Sequence, residues 1–199
     1  MLVEAAVESL DAALAAQEGG AHRIEWCTNL AQGGTTPPLD RLPAVSIPIF
    51  VLIRPRAGDF VYTDDEHRLM LAQIERAKAA GARGIVSGAL TPNGEIDVPR
   101  VAELIEAARP LSFTFHRAIE ACTRLDVALE TLIKLGVDRV LTSVQVRELV
   151  LQARGRIRIL AGGGINATNA AQVVRDTGVQ EIHFSVKHAQ KVRDVLESL

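Results

Sequence analysis

The chain has 199 residues, 48% of them hydrophobic, with a net charge of −2 and a pI near 6.2. That length holds one large core but not two α/β domains, so a single domain over residues 1–199 is expected. A near-neutral chain with no basic cluster excludes nucleic acid and membrane surfaces, leaving small molecules and other protein chains as partners.

The chain opens with an apolar run at 2–6 (LVEAA) and helical spacing over 9–20, and Glu4, Glu8 and Asp11 interrupt anything resembling a signal peptide. RIEW (23–26) and IPIFVLI (47–53) read as the next two strands, the latter followed by helical spacing over 64–82. GIVSGAL (84–90) precedes a helix over 98–108, and LSFTF (111–115) one over 124–137. RVLTS (139–143) runs straight into helical VQVRELV, IRILA (157–161) leads to a helix over 166–179 capped by Asn166 or Thr168, and EIHFS (181–185) runs straight into VKHAQKVRDVLESL. Loops missing from the sequence after Ser143 and Ser185 would explain the two abrupt junctions.

Eight strands alternating with helices, several stopped by glycine as at Gly20, Gly81, Gly136 and Gly178, predict an α/β fold, a single (β/α)₈ TIM barrel. An open doubly wound sheet is the alternative, but the first turn, EAAVES (4–9), lacks G-x-G-x-x-G. No window has the uncharged length of a membrane helix, and two cysteines cannot build a disulfide framework, so a cytoplasmic protein with reduced thiols is expected.

Barrel sites form at strand C-termini and the loops beyond them. Those positions carry Glu4, Glu25, Cys27, Arg54, Arg56, Asp59, Ser87, His116, Arg117, Thr142, Ser143 and His183. Charges within apolar strands need partners, and Arg54, Arg56 and Arg117 are the candidates for Glu4 and Glu25. A buried ion-pair network and an anion pocket both fit this set. In the second reading Glu4, Glu25 and His116 are candidate catalytic groups, while Arg54, Arg56, Asp59, Arg117, Ser143, Gly163 and Gly164 bind a small anion, the glycines through backbone N–H groups. His183 is weighed evenly between core and site, whereas His22, His67 and His188 are expected to face solvent. Cys27 and Cys122 are the only thiols, candidate ligands for copper(I) or inert buried residues.

RPRAGDFVYTDDE (54–66), FTFHRAIE (113–120), RVLTS (139–143) and GGTTPPL (33–39) after IEWC together resemble the CutC copper homeostasis family, the match running from Glu4 to Ser185. The resemblance implies a barrel, a cytosolic copper-associated role and assembly into homo-oligomers. It also implies thiols in two E-x-C motifs at the ends of strands 1 and 2. Glu25-Trp26-Cys27 keeps the second, and Glu4-Ala5-Ala6 replaces the first cysteine with alanine. Two functions therefore stand: copper homeostasis with copper(I) bound at Cys27 or Cys122, or an enzyme acting on a small, possibly phosphorylated, anion.

Overall fold

Short apolar strands, each followed by a helix with one apolar face, bury both surfaces when the strands pair in parallel beneath a helical layer. The computed structural model describes residues 1–199 and closes eight parallel strands into a barrel in sequence order. The elements are β1 (Leu2–Val7), α1 (Leu10–Glu18), β2 (Arg23–Trp26), β3 (Ile49–Leu52), α2 (Asp64–Ala79), β4 (Gly84–Ser87), α3 (Val98–Ala108), β5 (Ser112–Phe115), α4 (Leu125–Leu135), β6 (Arg139–Thr142), α5 (Val146–Ala153), β7 (Arg158–Ala161), α6 (Ala170–Thr177), β8 (Glu181–Ser185) and α7 (Ala189–Ser198).

The expected alternation fails once. Between β2 and β3 there is no α-helix, only a 3₁₀ turn at Leu30–Gln32 and an extended stretch. Pro37, Pro38, Pro43 and Pro48 explain it, since each removes a backbone donor and disfavours helix in the residue before it. Leu39 is buried there, and Leu42, Val45 and Ile47 pack beside it where a helix would lie.

The junctions after β6 and β8 are short in this chain: Ser143 to Gln145 connects β6 to α5 and Val186 to His188 connects β8 to α7. The first turn is tight enough to hold Gln145 in the left-handed region at φ 46°. At α6 the N-cap is Asn169, not Asn166 or Thr168; the Asn166 carboxamide oxygen instead accepts from the N–H and hydroxyl of Thr168. His67, expected in solvent, is buried on α2, its Nε2 lying 2.7 Å from Glu103 of α3. His22 and His188 are exposed as expected.

The main core lies between the strands and the helices. The barrel interior has a different composition. Strand alternation and register place Arg23, Gly84, Arg139 and Glu181 in its lowest layer, then Glu4, Phe50, Thr114 and Leu160, then Glu25, Val86, Leu141 and His183. Gly84 is required here, because a Cβ would stand 2.6 Å from the Phe50 ring. Arginine guanidiniums flank that ring, at 4.8 Å for Arg23 and 5.5 Å for Arg139.

Candidate active site at the barrel mouth

The interior charges form a continuous column. Arg139 Nε donates to Glu181 at 2.5 Å, Arg23 Nη2 donates to the same carboxylate at 2.7 Å, and Arg23 Nε donates to Glu4. The other Glu4 oxygen lies 2.7 Å from His183 Nδ1, and His183 Nε2 faces Glu25 at 3.5 Å. Glu4 therefore lies below the mouth, in mid-strand, and its cation is Arg23 rather than Arg54, Arg56 or Arg117.

This packing sets the protonation states. Burial opposes ionisation of Glu4, but hydrogen bonding from His183 and the Arg23 charge outweigh it and hold the carboxyl at about 2. Glu25 has no hydrogen-bonding arginine, so burial dominates and raises it to about 7. His183 is itself buried, yet the two carboxylates raise its pKa above the usual value. Glu4, Glu25 and His183 place one ligand atom each within 4.8 Å of one another.

Above this column a cavity of about 140 Å³ opens among the strand C-terminal ends, reached by Glu25, Cys27, Arg54, His116, Arg117 and His183. Cys27 Sγ donates to the Val7 carbonyl at 3.5 Å, and burial pushes the thiol far above its ordinary pKa. His116 Nδ1 accepts the Ala118 N–H at 3.3 Å; burial and the Arg54 charge depress its pKa to about 3, so the ring is a neutral donor rather than a base poised near neutrality.

The remaining expected residues are spread more widely. Arg54 staples two loops, donating to the carbonyls of Gln32, Gly34 and Gly58 at 3.2, 2.8 and 2.7 Å. Arg56 bonds Glu66 at 2.6 Å and Asp59 at 3.0 Å, which makes both Arg56 and Asp59 loop braces outside the cavity. Glu120, which sequence reasoning missed, gathers Arg117 at 2.7 Å, the Ser143 N–H at 2.7 Å and the Ser143 hydroxyl at 2.9 Å. Gly163 and Gly164 lie outside the cavity at φ 77° and 80°. A Cβ on Gly163 would approach Ser143 Cβ to 2.5 Å, so Gly163→Ala combines strain with a clash and is expected to cost about 2 kcal/mol in urea unfolding. Unchanged stability would remove that packing role. Cys122 lines a separate cleft beside α4, its thiol raised to about 11 by burial, and does not join Cys27.

Fold and mouth together define a small (β/α)₈ barrel protein with a cavity at its strand C-terminal ends over a charged column. A model of the CutC family matches residues 1–188, and the chain belongs to that family. It is 44% identical to the Bacteroides fragilis (strain NCTC 9343) family protein CutC, covering 96% of this chain and 82% of that protein. It is also 44% identical to the human copper homeostasis protein cutC homolog, over 94% of this chain and 73% of that one. A crystal structure assigned as the copper homeostasis protein CutC of Streptococcus agalactiae superposes with a TM-score of 0.85 at 32% identity, covering 92% of this chain and 97% of that one. The alignment to the Glaesserella parasuis CutC protein runs over 213 residues while taking in the whole of this 199-residue chain, so that relative carries residues absent here.

Proposed function

We propose that this protein serves copper homeostasis, as the names of its human and mouse relatives suggest, and that the mouth cavity receives copper(I) as cargo. The observation that carries the reading is Cys27, which opens into the same cavity as His183 and Glu25. A two-thiolate site does not fit. Ala6 stands beside Glu25 in the strand register, Cys122 lies in another cleft, and burial keeps the Cys27 thiol protonated. Binding therefore rests on one sulfur with the His183 imidazole as second donor, and it requires loss of the thiol proton and of the proton on His183 Nε2.

An anaerobic copper(I) titration against a chelating probe is expected to show one equivalent bound by the parent and by Cys122→Ala, with at least a tenfold loss of affinity in Cys27→Ala. Equal binding by parent and Cys27→Ala would end the assignment. The reading includes a cytoplasmic location, consistent with two free thiols and with no helix long and apolar enough to cross a membrane. It also includes assembly into homo-oligomers.

A further inference from the structure

Two residues that line the cavity, Arg54 and His116, carry buried nitrogens with no hydrogen-bond partner. Arg54 is 6% exposed and its guanidinium meets no carboxylate; its Nη groups are spent on loop carbonyls, and its Nε is buried without a hydrogen-bond partner, as is the neighbouring Tyr62 hydroxyl. His116 is 4% exposed, and because its Nδ1 accepts from Ala118, its hydrogen is on Nε2, which is likewise buried and unpartnered. The two groups converge on one ring: Arg54 lies 4.8 Å from the centroid of Phe60, and the His116 ring 4.9 Å from it. An orphaned buried donor costs about 1–3 kcal/mol, so two on one cavity wall beside an uncompensated guanidinium describe a site awaiting an acceptor.

We propose that Arg54 and His116 form a subsite for the carboxylate of a small monoanionic organic acid, with Phe60 against its apolar part. One carboxylate oxygen takes the Arg54 Nε hydrogen and the other the His116 Nε2 hydrogen. A single negative charge matches the single free guanidinium, because His116 is neutral. A phosphate dianion would bring surplus charge toward Glu25 in the cavity lining and Glu4 beneath it. The subsite uses different residues from the copper reading and stands without it.

The test is thermal unfolding of the full chain with sodium acetate, sodium propionate, sodium phosphate and sodium chloride at matched ionic strength, in the parent and in His116→Phe, His116→Gln and Arg54→Lys. The carboxylates are expected to raise the parent Tm progressively with concentration, as ligands of the native state do. His116→Phe keeps a ring among Phe60 and Phe115 but removes the donor, and should weaken the carboxylate response at least tenfold, with partial recovery in His116→Gln. Arg54→Lys keeps the charge without the Nε donor and should weaken it similarly. Stabilisation by phosphate or chloride equal to that by carboxylates, an undiminished response in His116→Phe, or no response to any anion would each overturn the proposal. Copper(I) binding by His116→Phe is expected to equal the parent's, so the two readings fail separately.

Discussion

Arg23→Met should unfold with about 3–5 kcal/mol less free energy than the parent at pH 7, the largest loss expected of any single substitution here. Arg23 is 4% exposed and donates to both Glu4 and Glu181. Methionine fills much of its volume but leaves Glu4 with only His183, and Glu181 with Arg139 and a longer contact to Arg158 at 3.7 Å. Removing one member of a buried ionic array costs more than the array contributes, because the survivors remain charged and desolvated. The deficit should shrink as pH falls toward 4, where the freed Glu4 takes up a proton in the variant. Glu4→Gln placed in the Arg23→Met background should recover part of the loss, so the two substitutions will not be additive. Urea unfolding of the four proteins measures this, and equal stability of parent and Arg23→Met would refute the charged column as a structural element.

Glu25→Gln should have the opposite sign above neutrality. The Glu25 pKa is raised from 4.5 to about 7, so its protonated form contributes stability that is complete below pH 4.5 and is lost as pH rises through about 7. His183, also raised, adds to the loss on the alkaline side. Glu4 is depressed from 4.5 to about 2, so its contribution is present above pH 4.5 and fades as pH falls toward 2. The parent should therefore be most stable between these windows. Glu25→Gln removes the Glu25 share of the alkaline decline and should exceed the parent by about 2 kcal/mol at pH 8, with little difference at pH 5. A gap independent of pH would place the Glu25 carboxyl in a far more polar environment than the buried one described.

The barrel was legible because strand and helix patterns differ in period and each unit repeats both. The missing second helix was legible too, in Pro37, Pro38, Pro43 and Pro48, but regular spacing elsewhere suggested more regularity than the chain has. At the mouth, ranking residues by nearness to strand ends picked out Glu25, Cys27, Arg54, His116, Arg117 and His183, which line the cavity. It misplaced Glu4 and passed over Arg23, Arg139 and Glu181. The useful signal was parity. Arg23 with Glu25, and Glu181 with His183, are two apart and so project from one face of their strands into the same interior. Glu120 carried no such signal, since it reaches Ser143 from a turn whose path depends on the whole barrel.

The short turns after β6 and β8 give the mouth unequal rims. On the β2 and β3 side, long loops are stapled by Arg54 and braced by Arg56, whereas Ser143 to Gln145 and Val186 to His188 make low edges with no slack to fold inward. Enzymes that shut a flap over their contents tie turnover to the pace of that flap. Connections of three residues leave the β6 and β8 edges of the mouth without a segment long enough to serve as such a flap.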